Sequence, residues 1–174
     1  EGKVTLRPEN SHNVNFSMSW NRQFGKHAIY VEGGLVYRNT KDYIQRSIVD
    51  LSGGRTGATY ENHGRVETKG YNLSARYGFS KWLSLGGNYT QMDVRDNVKT
   101  IGSGTLQENL TYGARMPNLP YRFANADVSF FWHNLGCKGN QLTVTYDNLY
   151  MHSFPLYSEK LGDSSTNKFV VPTQ

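Results

Sequence analysis

The sequence predicts an all-β protein, an antiparallel up-and-down meander that is a partial segment of a large transmembrane β-barrel. Three observations lead there. Stretches of strict apolar/polar alternation recur along the chain, aromatic residues gather at their ends, and the connections between them are alternately short and long.

The clearest stretch is Gly70 to Val94, GYNLSARYGFSKWLSLGGNYTQMDV. Its first arm sets Tyr71, Leu73, Ala75 and Tyr77 against Asn72, Ser74 and Arg76, and its second sets Leu83, Leu85, Gly87 and Tyr89 against Ser84, Gly86, Asn88 and Thr90. Successive side chains of a strand point to opposite faces, so each arm has one apolar and one polar face. In a soluble sandwich the apolar faces meet in a core. In a membrane barrel they meet lipid, and aromatic residues mark the two interfaces.

The remaining elements follow in order. Glu1 to His12 reads as irregular, with Pro8 as a breaker. From Asn13 to Trp20, Val14, Phe16, Met18 and Trp20 alternate with Asn13, Asn15, Ser17 and Ser19, and a short turn with Gly25 follows. The next strand runs from about His27 to Arg38, with Ile29, Val31, Leu35 and Tyr37 outward and a possible continuation to Val49. Leu51 to Gly64 reads as a long polar loop, Gly78 to Lys81 as the central turn, and Arg95 to Leu119 as a second long loop. Ala124, Ala126, Val128, Phe130 and Trp132 then share a face, His133 to Asn140 turns the chain, and Leu142, Val144 and Tyr146 alternate with Thr143, Thr145 and Asp147. A third long segment, Met151 to Lys168, precedes Phe169-Val-Val-Pro-Thr, which reads as another strand beginning.

These six strands and the start of a seventh are joined by short and long connections in strict order, as in a meander crossing a bilayer with tight turns on one side and extended loops on the other. The short turns are then periplasmic and the long loops extracellular. Barrels close with an even strand number of at least about eight, so the expectation is one barrel segment, residues 1–174, of a longer chain. Left alone, its two sheet edges would invite self-association.

Composition excludes other classes. No run approaches the ~20 apolar residues of a membrane helix. The formal charge of +5 comes from Lys and Arg scattered singly, so no nucleic-acid face is expected. Cys137 is the single cysteine, which rules out an internal disulfide and a cysteine metal cluster. No Ser/His/Asp order, paired carboxylate set or HExxH pattern suggests an enzyme, and no metal or cofactor is expected.

Four segments carry a family resemblance. LRPENSHNVNFSMSW resembles the L-K-P-E-x-S-x-N segment before a barrel strand in TonB-dependent outer-membrane receptors, and GLVYRNTKDYIQ resembles their Y-x-N-x-x-D-Y-I strand end. ETKGYNLSARYGFSKWLSLGGNYTQM is similar to a hairpin of that family, and RMPNLPYRFANADVSF to the lead-in of a late strand. The resemblance implies a barrel of about twenty-two strands around a plug, and energised import of a scarce nutrient such as a ferric siderophore, haem, cobalamin or a glycan. It implies outer-membrane lipid, the plug, TonB and a small-molecule nutrient as partners, the plug and TonB through parts of the parent chain that this sequence lacks. A soluble β-sandwich binding or adhesion module is the other reading. A small channel or lipid-modifying barrel is a third, requiring a complete strand set and, for an enzyme, a triad.

Candidate ligand residues are His63 and His152 in the long loops, with Tyr60, Tyr112, Phe154 and Tyr157 to help clasp haem or an aromatic chelate. The plain alternative is exposed loop histidines with no ligand; His12, His27 and His133 flank strand ends. Glu32, Arg38, Arg76 and Asp127 face the lumen, either along a substrate path or simply as the polar half of the alternation. Trp20, Tyr77, Phe79, Trp82 and Trp132 lie beside the short turns, where an interfacial belt would sit. Glycosylation-type triplets begin at Asn15, Asn72, Asn88 and Asn109, three of them inside strands.

Overall fold

The computed structural model describes residues 5–51, 55–101, 107–156 and 170–174. Its strands are β1 (Asn10–Phe24), β2 (His27–Lys41), β3 (Ile44–Leu51), β4 (Arg55–Asn62), β5 (Arg65–Phe79), β6 (Leu83–Asp96), β7 (Thr100–Ile101), β8 (Gln107–Glu108), β9 (Arg122–His133), β10 (Gln141–Met151), β11 (Phe154–Pro155) and β12 (Val170–Val171). The six long ones form one antiparallel sheet in the order β1-β2-β5-β6-β9-β10. All are nearest neighbours along the chain once the small loop hairpins are set aside, which is the expected meander.

Register carries the alternation across the sheet. Phe16 lies opposite Leu35, Leu35 opposite Tyr71, and Tyr71 opposite Gln91. Closer to the short turns, Trp20, Val31, Ala75, Gly87 and Ala126 form one row, and Tyr77, Leu85, Val128 and Tyr146 another. A one-residue slip in any pair would turn that strand's apolar set to the polar side, so a buried or lipid-covered face holds the register.

That apolar face is uncovered. Val14, Phe16, Met18, Leu35, Leu73 and Tyr146 are each more than half exposed, and no second sheet packs on them among the described residues. In water each large side chain would forgo ~1.5–3 kcal/mol of burial; in a bilayer the acyl chains cover it. The sandwich alternative requires these faces to meet, and they do not.

The short turns match their sequences. Phe24 pairs with His27 across a turn of Gly25 and Lys26, and Gly25 takes φ +58°, the left-handed value that such a tight hairpin places on its first central residue. Ser80 to Trp82 join β5 to β6, and Asn134 to Asn140 join β9 to β10.

Three expectations change. β1 starts at Asn10, because its polar first residues still complete a backbone ladder with β2. β2 does not continue to Val49: it ends at Lys41, Asp42 turns the chain with φ 55°, and Ile44–Leu51 forms a separate strand. The supposed polar loop after Leu51 contains β4, which pairs with β3 from Ile44↔Asn62 to Leu51↔Arg55. Backbone pairing needs no apolar face, so polarity concealed this hairpin. The last described stretch pairs Phe154 with Val171, and in the same register Met151 and Gln174 exchange backbone hydrogen bonds of 3.0 Å.

The small buried core, Val66, Ala114, Met116 and Phe154, lies at the long-loop end. No helix in the described residues is long and apolar enough to cross a membrane, which says nothing of strands.

Candidate functional site

The face behind the apolar one is polar from strand to strand. Glu32 lies opposite Ser74, Ser74 opposite Asn88, and Asn88 opposite Asn125; Gly86 lies opposite both Arg76 and Asp127. Tyr30, Glu32, Ser74, Arg76, Asn88, Asn125 and Asp127 line a concavity of about 420 Å³. Its shape depends on Gly86, where an added β-carbon would overlap the Asp127 carboxylate. The Tyr30 hydroxyl donates to Glu32 Oε2. The lining thus combines carboxylates, a guanidinium and amides, suited to a solvated polar solute rather than to a covalent step. Arg38 lies apart from it, donating from Nε to Asn13 Oδ1 at 2.6 Å.

At the long-loop end, Asp96 closes β6 and is 3% exposed. Its Oδ2 accepts from Asn109 Nδ2 at 2.9 Å and from Thr111 Oγ1 at 2.5 Å, while Oδ1 accepts from the Val98 N–H at 2.9 Å. His63 Nε2 stands 3.0 Å from the same Oδ2, and its Nδ1 is 2.9 Å from Gln45 Nε2. Burial pushes the Asp96 carboxyl up, but the bonds from Thr111, Val98 and Asn109, with His63 beside it, outweigh burial and leave it below the ordinary carboxylate value. This cluster ties the β3–β4 hairpin and the loop after β6 to the sheet.

The outward face carries two aromatic levels. On the short-turn side, Phe79 meets Trp82 edge-on at 5.2 Å, Phe130 stacks on Trp132 at 5.8 Å, and Tyr77 hydroxyl is 2.7 Å from His27 Nδ1. Trp20, Trp82 and Trp132 are 51%, 46% and 43% exposed, in keeping with side chains that enter lipid rather than a core. On the loop side, Tyr71 and Tyr89 pack at 5.9 Å, and both Tyr89 and Tyr150 lie opposite Ala124. Phe79 and Tyr71 are eight positions apart, roughly 20 Å along the membrane normal for a strand rising ~3.3 Å per residue and tilted ~40°. That is close to the ~25 Å apolar band of an outer-membrane barrel.

The candidate ligand residues do not converge. Tyr60 is 56% exposed on β4. His63 is engaged at Asp96, and Tyr112 lies at the loop with Lys99 Nζ 5.8 Å from its ring centroid. His152 stands on the outward side, edge-on to Tyr121 at 5.3 Å and 3.1 Å from the Tyr150 hydroxyl. Phe154 is buried in β11, and Tyr157 lies outside the described residues. Cys137 is exposed in the β9–β10 turn. Asn109, one of the glycosylation-type positions, is buried against Asp96. Sequence reasoning missed Asp96 and the loop-side tyrosine level. The second was accessible: beyond Tyr89 the outward positions change from apolar to Gln91, Asp93 and Arg95.

An open meander with one lipid-ready face, one polar face and aromatic levels at both ends defines the wall of a transmembrane β-barrel. The sequence matches the family described as TonB dependent receptor-like, beta-barrel, over residues 2–172, and the chain belongs to that family. It is therefore an outer-membrane barrel segment of the receptor and transporter class. A comparison with curated proteins finds no match.

Proposed function

We propose that this chain is one section of the wall of an import barrel, in which the polar face of β2, β5, β6 and β9 borders the path of a scarce nutrient taken up at the expense of TonB-transmitted energy. The ferric siderophores, haem, cobalamin and glycans are the candidate cargo classes, and the plug supplied by the parent chain is the other boundary of the path. The observation that carries the reading is the concavity lined by Tyr30, Glu32, Arg76, Asn88, Asn125 and Asp127, placed directly behind the lipid face. The parent barrel continues past both edges: β1 is exposed along its whole length and β10 nearly so, and residues 170–174 run antiparallel to residues 151–155, in line with β10.

The test uses the full receptor in cells. Arg76→Glu and Asp127→Lys are expected to lower TonB-dependent uptake of the cognate nutrient, found by screening the four classes, while the amount of folded receptor in the outer membrane is unchanged. Uptake at the unsubstituted rate in both variants would sink the assignment of this face to the path.

A further inference from the structure

We propose that Asn62, His63 and Gly64 form a hub through which three segments at the long-loop end open and close as a single unit. The segments are the lead-in to β1, the base of the β3–β4 hairpin and the chain leaving β6. Each of the three consecutive residues supplies one of the links.

Asn62 ends β4 and holds the lead-in. Its Oδ1 accepts from the Arg7 N–H at 2.9 Å, and its Nδ2 donates to the Arg7 carbonyl at 2.8 Å and to the Asp42 carbonyl at 2.8 Å. The amide thus gives Arg7 the donor and the acceptor that a neighbouring strand would offer. Two further contacts fix the same joint. The Ile44 N–H donates to Glu9 Oε1 at 2.6 Å, and Arg7 Nη2 stands 2.5 Å from Asp42 Oδ1. The arginine of that ion pair is exposed, so the pair adds little and the amide bonds carry the joint.

His63 and Gly64 hold the chain leaving β6. The His63 N–H donates to the Tyr43 carbonyl at 2.6 Å, which closes the base of the hairpin, while the ring stands between Gln45 and Asp96. Gly64 takes φ +77°, and a β-carbon there would come within 2.8 Å of Val98 Cγ2, so the chain after β6 packs on the backbone itself. Beside it the Asn97 N–H donates to the Arg65 carbonyl at 2.8 Å, and Asn109 Nδ2 donates to the Val98 carbonyl at 2.8 Å. Consecutive Cα atoms are held about 3.8 Å apart. A displacement that carries Asn62 out of hydrogen-bond range therefore takes His63 and Gly64 with it. A contact made with any one segment shifts the other two, because all three share one opening equilibrium.

The experiment is hydrogen–deuterium exchange of the full receptor in neutral detergent, read in residues 5–9, 42–45 and 96–99 under conditions where the rate reports the opening equilibrium. Asn62→Ala deletes bonds to Arg7 and Asp42 alone, so segments that move separately would exchange faster only in the first two stretches. A single unit instead exchanges faster in all three by one common factor, about fivefold for each hydrogen bond lost. Glu9→Ala, at an exposed position outside the hub, is expected to accelerate 96–99 in the same way. Asp96→Ala, acting from the other side, is expected to accelerate 5–9. Exchange in residues 71–77, within the sheet, stays unchanged and shows that the wall is intact. An unchanged rate at 96–99 in either Asn62→Ala or Glu9→Ala overturns the proposal, as does an unchanged rate at 5–9 in Asp96→Ala. No cargo is added, so the outcome does not depend on the cargo path.

Discussion

His63 Nε2 lies 3.0 Å from Asp96 Oδ2, so a residue just before β5 is joined to the last residue of β6. In the sequence His63 reads as a candidate ligand or a plain loop histidine, and Asp96 falls unremarked in the long loop from Arg95 to Leu119. The fold makes them one clasp, and four predictions follow from this and three other relationships.

Asp96→Ala leaves Asn109 and Thr111 without their shared acceptor, takes away the carboxylate beside His63, and is expected to destabilise the long-loop end by ~1–3 kcal/mol. His63→Ala removes one neighbour and costs less. Limited proteolysis of the detergent-folded receptor should show faster cleavage within residues 97–121 for Asp96→Ala than for His63→Ala. The pH dependence has a definite sign. Asp96 is held below its ordinary value of 3.8, so its contribution is complete above the unfolded carboxylate value and is lost as pH falls through the lower folded one. Protection of the loop should therefore persist at pH ~5 and fall below pH ~4; protection constant down to pH ~2 would contradict the clasp.

Leu85 faces Val128 across the β6–β9 pair on the lipid side, while Asn88 faces Asn125 on the other. Leu85→Lys should cost ~2–4 kcal/mol if near the bilayer midplane, and Asn88→Lys much less. Folding titrations into phospholipid vesicles measure both. Equal costs would contradict the assignment of faces.

Gly86 and Gly87 are adjacent but unequal. A methyl at Gly86 meets the Asp127 carboxylate, whereas at Gly87 it meets the Asn125 carbonyl oxygen at an ordinary 3.4 Å. Gly86→Ala should lower stability by ~1–3 kcal/mol through overpacking, and Gly87→Ala by less than ~0.5 kcal/mol. Thermal unfolding in detergent separates them.

Cys137 is the single cysteine and sits exposed in the β9–β10 turn, on the side of the short connections. A membrane-impermeant maleimide should leave it unlabelled on intact cells and label it once the outer membrane is permeabilised. Tyr60→Cys in a Cys137→Ser background should label on intact cells, since β4 lies on the long-loop side. Reversed labelling would invert the topology.

Much of the architecture was legible in the residues themselves. The alternation at Tyr71–Tyr77 and Leu83–Tyr89 determined two faces per strand, because a strand has a period of two whatever its neighbours are. Short turns such as Gly25–Lys26 and long segments such as 95–119 determined the meander, because chain length limits which strands can be adjacent. The place of Trp20, Trp82 and Trp132 beside the short turns could be read from position alone. The β3–β4 hairpin was not legible, since backbone pairing leaves no trace in a polar sequence. Only the tertiary structure decided that Asp96 meets His63, Asn109 and Thr111, and that Asn62 holds Arg7. Those contacts join residues remote in sequence, and a single chain records the chemistry of each side chain but not which distant partner register and loop closure bring within reach.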